Sequence, residues 1–91
     1  MEAFIRFLNA IEDDPRIGTS HISIYLVLLC LQHKSGKEVF TIKRHDIMRR
    51  AKIRSRHTYN SCMNQLHEYG YIQYHPCSHP SEGSRVQLLL I

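Results

Sequence analysis

The feature that most restricts what this chain can fold into is a pair of helical segments joined by only a few residues. Apolar residues at helical spacing predict one helix over about 43–51. A second helix is predicted from Ser55, which suits the N-cap, to about Tyr69, because Gly70 suits the left-handed position beyond the last turn. The connection AKIRS turns Ile53 inward. The segment therefore predicts helix, tight turn, helix.

Two further helices are predicted ahead of this pair. The first, about 2–13, has apolar residues at helical spacing and stops at the acidic EDDP, where the proline discourages continuation. The second begins at a cap supplied by Thr19 or Ser20 and ends at Ser35-Gly36. Because its sequence HISIYLVLLCLQHK is apolar nearly all round, we expect it to be the central helix of the core, with Cys30 as a small core residue.

Short β-branched and aromatic segments predict three strands. EVFTI predicts a brief strand at about 39–42, and YIQYH and RVQLLLI, which flank the loop PCSHPSEGS, predict a hairpin. The expected fold is α+β and mostly α: a winged helix-turn-helix of about four helices, a short strand and a C-terminal β-hairpin wing. We expect a single domain over 1–91, with N-terminal helices at 1–36, strand and helix pair at 39–69, and hairpin at 70–91.

The basic residues are concentrated in the helix pair. Between Lys43 and Arg56, seven Lys and Arg residues face Asp46 alone, a net charge of +6, whereas the whole chain carries +4. The rest of the chain therefore carries −2. Basicity confined to one segment is what a surface for a polyanion requires.

The start of the second helix of the pair breaks a local preference. The macrodipole favours acids in a first turn, yet Arg54, Arg56 and the titratable His57 lie there, a choice that costs roughly 0.3–1 kcal/mol unless an outside anion compensates. Free N–H groups, the arginines and the hydroxyls of Ser55 and Thr58 all suit phosphate oxygens. We therefore expect an anionic partner at this helix end.

The same helix has one apolar and one polar face. The inward stripe consists of Tyr59, Cys62, Met63 and Leu66. The outward stripe, which holds no acid, consists of His57, Asn60, Ser61 and Asn64. Such side chains can hydrogen-bond to base edges, and an Asn can pair bidentately with adenine. The alternative is an ordinary solvated face, although such faces usually mix both signs of charge.

These positions predict sequence-selective binding to duplex DNA, with this helix in the major groove. The residues expected to read or approach bases are Arg56, His57, Asn60, Ser61 and Asn64. Those expected to hold phosphates are Lys43, Arg44, Lys52, Arg54, Ser55 and Thr58, with Arg85 serving from the wing.

The stretch from FTIKRH to SRVQL resembles the small winged helix-turn-helix proteins of Bacteroides-type conjugative and mobilisable elements. The preceding DPRIGTSHISIYLVLL resembles the same family's lead-in, so the likeness spans about 14–90. Its most specific residues are Ser55, Thr58-Tyr59, Leu66, Gly70-Tyr71-Ile72, Tyr74, Pro80 and Gly83-Ser84. The resemblance implies a winged-helix fold and DNA binding in transcriptional control or element maintenance.

Other function classes have weaker signals. One rival is a winged-helix adaptor whose basic strip docks an acidic protein partner in a replication or mobilisation complex. Single-stranded nucleic acid would need exposed aromatics, for which Tyr71 and Tyr74 are the candidates. A zinc site at His75, Cys77 and His79 offers three donors where a closed site needs four. No catalytic or cofactor motif is found, so we expect neither an enzyme nor a cofactor.

The sequence also predicts environment and assembly. The cysteines lack disulfide spacing, the N-terminus lacks a signal peptide, and the most apolar stretch, 22–31, is about half of the ~20 residues that span a bilayer. We expect a cytoplasmic, nucleoid-associated protein with no membrane partner. The broad apolar face of the first helix either seals the core or pairs with a second copy as a homodimer; it consists of Phe4, Ile5, Phe7 and Leu8.

Overall fold

The chain forms four helices and three strands within the residues that a computed structural model describes, 2–77 and 83–89. In order they are α1 (Glu2–Ile11), α2 (Thr19–Ser35), β1 (Val39–Ile42), α3 (Arg44–Ala51), α4 (Arg56–Glu68), β2 (Ile72–His75) and β3 (Ser84–Leu88). The α+β, mostly helical class is the predicted one, and α1 ends slightly earlier than expected. Among the described helices, none is both long enough and apolar enough to cross a membrane.

Local capping explains where the helices begin. Ser55 caps α4 as predicted, since its Oγ accepts a first-turn N–H at 3.1 Å. The prediction for α2 is wrong: the N-cap is Gly18, and neither Thr19 nor Ser20 supplies a capping side chain. Instead, Nδ1 of His21 accepts the N–H of Gly18 at 2.9 Å. The histidine ring at N3 thus binds back to the N–H of the N-cap residue, as the N3 side chain of a capping box does.

The three strands form an antiparallel sheet with β3 in the middle, in the order β1-β3-β2. Val86 of β3 lies opposite Phe40 on one side and opposite Tyr74 on the other. The predicted hairpin is therefore confirmed, and the short strand before α3 completes the sheet by pairing with its returning strand. Most of the predicted hairpin loop, 78–82, lies outside the described residues.

Helix α2 is the centre of the core, as its apolar sequence predicts, because it contacts α1, α3, α4 and β1. Ile24, Tyr25 and Leu28 are fully buried. The predicted inward stripe of α4 is also buried: Tyr59, Cys62, Met63 and Leu66. Cys30 was expected in the core, and that prediction is wrong. It is exposed because it lies on an open groove between α1 and α2.

Helix α1 closes the core with one aromatic ring. Phe7 is fully buried, stacks on Tyr25 with ring centroids 3.8 Å apart, and meets Tyr71 edge-on at 5.6 Å. Ile5 and Leu8, by contrast, are 49% and 39% exposed. The predicted apolar face of α1 thus divides into a part that seals the core and a part that the described chain leaves uncovered.

Asp14 ties the segment after α1 to the segment after α4. Its carboxylate accepts hydrogen bonds from the Tyr71 hydroxyl at 2.6 Å and from Nε of Arg16 at 2.8 Å. The Arg16 guanidinium also lies 4.0 Å from the centre of the Tyr69 ring. The Arg16 bonds, followed by that of Tyr71, hold the pKa of Asp14 well below its usual range. Burial, helped by Asp14, raises the pKa of Tyr71 to about 12.

The variant Asp14→Asn will be less stable than the wild type, and its stability will depend less on acid. Because the pKa of Asp14 is lower in the folded chain than its ordinary 3.8, the carboxylate stabilises the fold above about pH 4 and loses this effect as the pH falls. We expect a lower free energy of unfolding at neutral pH and a flatter decline between about pH 5 and pH 2.

Urea unfolding at a series of pH values measures both effects. Asp13→Asn is the matched control, because Asp13 is exposed and makes no ion pair among the described residues. It should follow the wild-type curve. A decline in Asp14→Asn as steep as in the wild type would contradict the assignment.

Candidate nucleic-acid interface

The outward stripe of α4 faces solvent. His57, Asn60 and Asn64 are exposed and Ser61 is half-buried. Tyr59 and the other apolar residues of α4 lie on the opposite face, against the core. Since no acid lies in α4 before its C-terminal residue, the exposed face offers hydrogen-bond donors and acceptors without a carboxylate that would repel phosphate.

The N-terminus of α4 is an open anion-binding position. Ser55 satisfies the N–H of Thr58, whereas the N–H groups of Arg56 and His57 have no acceptor in the described part of the chain. Arg54 and Arg56 are both exposed beside these groups. Backbone donors, the positive end of the helix dipole and two guanidinium groups therefore lie together, the combination that binds phosphate oxygens at helix N-termini.

Asp46, the acid of the basic segment, already forms ion pairs within α3. Asp46 accepts from Arg49 at 2.7 Å and from Arg50 at 3.1 Å, and these bonds, chiefly that of Arg50, lower its pKa. Arg49 and Arg50 are thus partly neutralised within α3. In the described residues, the remaining cations of the segment form no ion pair: Lys43, Arg44, Lys52, Arg54 and Arg56.

The turn between α3 and α4 has a fixed shape. Lys52 adopts the left-handed conformation, with φ of 63°, and its N–H donates to the carbonyl oxygen of Met48. A non-glycine residue in this conformation costs about 1–2 kcal/mol, which the rest of the turn must offset. The hydroxyl of Ser23 contributes by donating to the carbonyl oxygen of Ala51 at 2.6 Å. Helix α2 therefore holds the end of α3 directly.

A second side chain of α2 positions α4. Because Nδ1 of His21 accepts the N–H of Gly18, the ring proton lies on Nε2, which donates to Oε1 of Gln65 at 2.8 Å. His21 is only 8% exposed. The positioning roles of His21, Ser23 and Gln65 were not predicted from the sequence. The available signal was polar side chains at the start of an otherwise apolar helix, since buried polar groups need partners.

The other predicted contacts cluster where the hairpin meets α3. Lys43 and Arg44 line a small pocket of about 130 Å³ with Gly83 and Ser84. Arg85 is exposed on β3, opposite Thr41 and His75 in the sheet. The predicted site thus falls into two groups, one on α4 and its preceding turn, and one at the loop end of the hairpin.

Two alternative sites receive no support from the described residues. Tyr71 is buried with its hydroxyl bonded to Asp14, so it offers no free ring face for stacking on bases, and Tyr74 is half-buried against the core. No group of three potential metal ligands gathers in the described part of the chain. His79, the third donor considered for zinc, lies outside it.

Comparisons of the chain with protein-family models, with curated proteins and with solved structures each found no match. The fold itself defines the class: a small α+β protein with four helices and a three-stranded antiparallel sheet in its described residues. The arrangement is compatible with a winged helix. The likeness to proteins of mobile elements stays a prediction.

Proposed function

We propose that this protein is a non-enzymatic, sequence-selective duplex-DNA-binding protein with a winged helix-turn-helix fold. The observation that carries the proposal is the outer face of α4, which is exposed, polar and acid-free, and begins at a cationic helix end with unsatisfied N–H groups. Transcriptional control or maintenance of a mobile element is the role we propose, in the nucleoid of the cytoplasm.

In this proposal α4 enters the major groove with its N-terminus toward a phosphate. Arg54, Ser55 and Thr58 hold that phosphate, and Arg56 reaches a phosphate or a guanine. The side chains that face the base edges are those of the outward stripe: His57, Asn60, Ser61 and Asn64. In this arrangement, neutral hydrogen-bonding groups recognise the bases, and the cations that precede them in the sequence supply most of the affinity.

Helix α3 and the hairpin supply the other phosphate contacts. Lys52 lies in the fixed turn before α4, and Lys43 and Arg44 lie at the start of α3. Arg85, on the hairpin strand β3 that pairs with β1, would contact the DNA backbone. Because Ser23 and His21 of α2 hold α3 and α4 in place, these contacts are presented from a rigid scaffold, which lowers the entropic cost of binding.

Selection of binding sites from randomised duplex DNA, with wild type and Asn60→Ala in parallel, tests the proposal. We expect the wild type to enrich a consensus and the variant to lose preference at one base position, at a cost of about 1–3 kcal/mol in discrimination. Asn9→Ala is the matched control, because Asn9 is an exposed asparagine on α1. It should select the wild-type consensus. If Asn60→Ala ranks all sequences as the wild type does, Asn60 reads no base.

A further inference from the structure

An apolar surface remains open between α1 and α2. A groove of about 450 Å³ lies between the start of α1 and the second half of α2, and its lining includes Ala3, Phe4, Leu26, Leu29 and Cys30. Leu26 is 42% exposed. Leu8 lies one helical turn beyond Phe4 and extends this surface along α1, with the exposed Ile5 at its border. Large side chains exposed together in this way indicate an interaction site.

The two ends of this surface carry opposite charges. Helices α1 and α2 run antiparallel, because Phe7 stacks on Tyr25 whereas Phe4 lies with residues further along α2. The start of α1 therefore lies beside Lys34, which lines the end of the groove. Beyond the other end, the exposed Glu12 lies in the turn that directly follows the last residue of α1. In the described residues neither Glu12 nor Lys34 forms an ion pair.

We propose that a second copy of this chain covers this surface in a two-fold dimer, with the two α1 helices antiparallel across the axis. The two-fold operation turns α1 of the second copy end for end, which brings its Leu8 to the groove and its Glu12 to Lys34. Each contact then occurs twice, as isologous symmetry requires. Such a dimer would form in the absence of DNA, so it can be tested independently of duplex binding.

Charge complementarity favours a second copy of this chain as the occupant of the groove. An acidic group is needed at the Lys34 end of the groove and a basic group at the Glu12 end, with an apolar row between them. The chain's own α1–α2 surface, turned by the two-fold axis, meets all three requirements at once. No additional partner chemistry has to be assumed.

Sedimentation velocity of the free protein tests the apolar part of the interface. We expect a dimer that Leu8→Glu weakens by roughly 30-fold or more, because a buried apolar contact repeated across the axis becomes two buried charges. Asn9→Glu is the control, since Asn9 is exposed on α1 and shares its face with the exposed ion pair of Glu2 and Arg6. A wild type that stays monomeric up to about 100 µM overturns the inference. Equal effects of the two variants also overturn it.

A charge exchange tests the geometry. Glu12→Lys and Lys34→Glu should each weaken the dimer by roughly fivefold to tenfold, because each creates two like-charge pairs across the axis. The double variant should restore the wild-type dissociation constant. Additive weakening in the double variant would show that the two residues do not meet, and would overturn the antiparallel arrangement. Both side chains are exposed, so the variants leave the core unchanged.

Discussion

Replacing both Arg54 and Arg56 with Ala will weaken binding to any duplex by roughly 100-fold, taking about 1.5 kcal/mol for each charge-assisted contact. Both guanidinium groups are exposed, carry no ion pair in the described chain, and lie beside the unsatisfied N–H groups of α4. The slope of log K against log salt concentration should fall by about 1 for the phosphate contact proposed for Arg54, and by about 2 where Arg56 holds a phosphate instead of a guanine. Fluorescence anisotropy of a labelled random duplex over a salt series measures both quantities.

A double variant of equal charge change separates specific contacts from net charge. Arg6→Ala with Arg49→Ala also removes two positive charges, but these arginines are already paired with Glu2 and Asp46. We expect it to bind at least tenfold more tightly than the first double variant. Equal losses would mean that only net charge matters. A wild type that binds no duplex at low salt would favour the adaptor alternative, in which the basic strip docks an acidic protein.

The elements that the sequence predicted well are those whose signals are local. The bounds of β1 and α4 depend on alternation, on the Ser55 cap and on Gly70, whose φ of 87° is the left-handed conformation expected of it. The burial of α4's apolar stripe follows from helical period alone. The candidate site could be predicted from the sequence for the same reason, since exposure of Asn60 and Asn64 follows from burial of the opposite face.

The features that the sequence did not reveal depend on contacts between distant residues. The Asp14–Tyr71 and His21–Gln65 bonds join residues 57 and 44 positions apart, and no spacing rule pairs them. The exposure of Cys30 likewise depends on how far α1 covers α2, which periodicity cannot set in a helix that is apolar nearly all round. These hydrogen bonds and the exposure of Cys30 are determined by how the helices pack, and not by local secondary-structure propensity.

Gly83→Ala will destabilise the protein by about 2–5 kcal/mol, the largest stability effect that we expect from a single methyl group. The residue has φ of +74°, and an added Cβ would lie 2.7 Å from the carbonyl oxygen of Ile42 and 2.8 Å from a methyl group of Thr41. The carbonyl group of Ile42 belongs to the backbone of β1, and Ile42 pairs with Ser84 of β3. Relief of this steric clash therefore requires the two strands to move apart. The loss therefore combines left-handed strain with disruption of the sheet beside Lys43 and Arg44.

Gly36→Ala isolates the strain from the clash. Gly36 has a similar φ of +68°, but its added Cβ would meet no atom within 4 Å, so only the left-handed penalty of about 1–2 kcal/mol applies. The difference between the two variants in free energy of unfolding, measured in urea, is then the cost of separating β1 from β3. Equal losses would mean that β1 and β3 separate at little cost beside Gly83. In that case the phosphate contacts proposed for Lys43, Arg44 and Arg85 would lack the rigid sheet that is meant to hold them together.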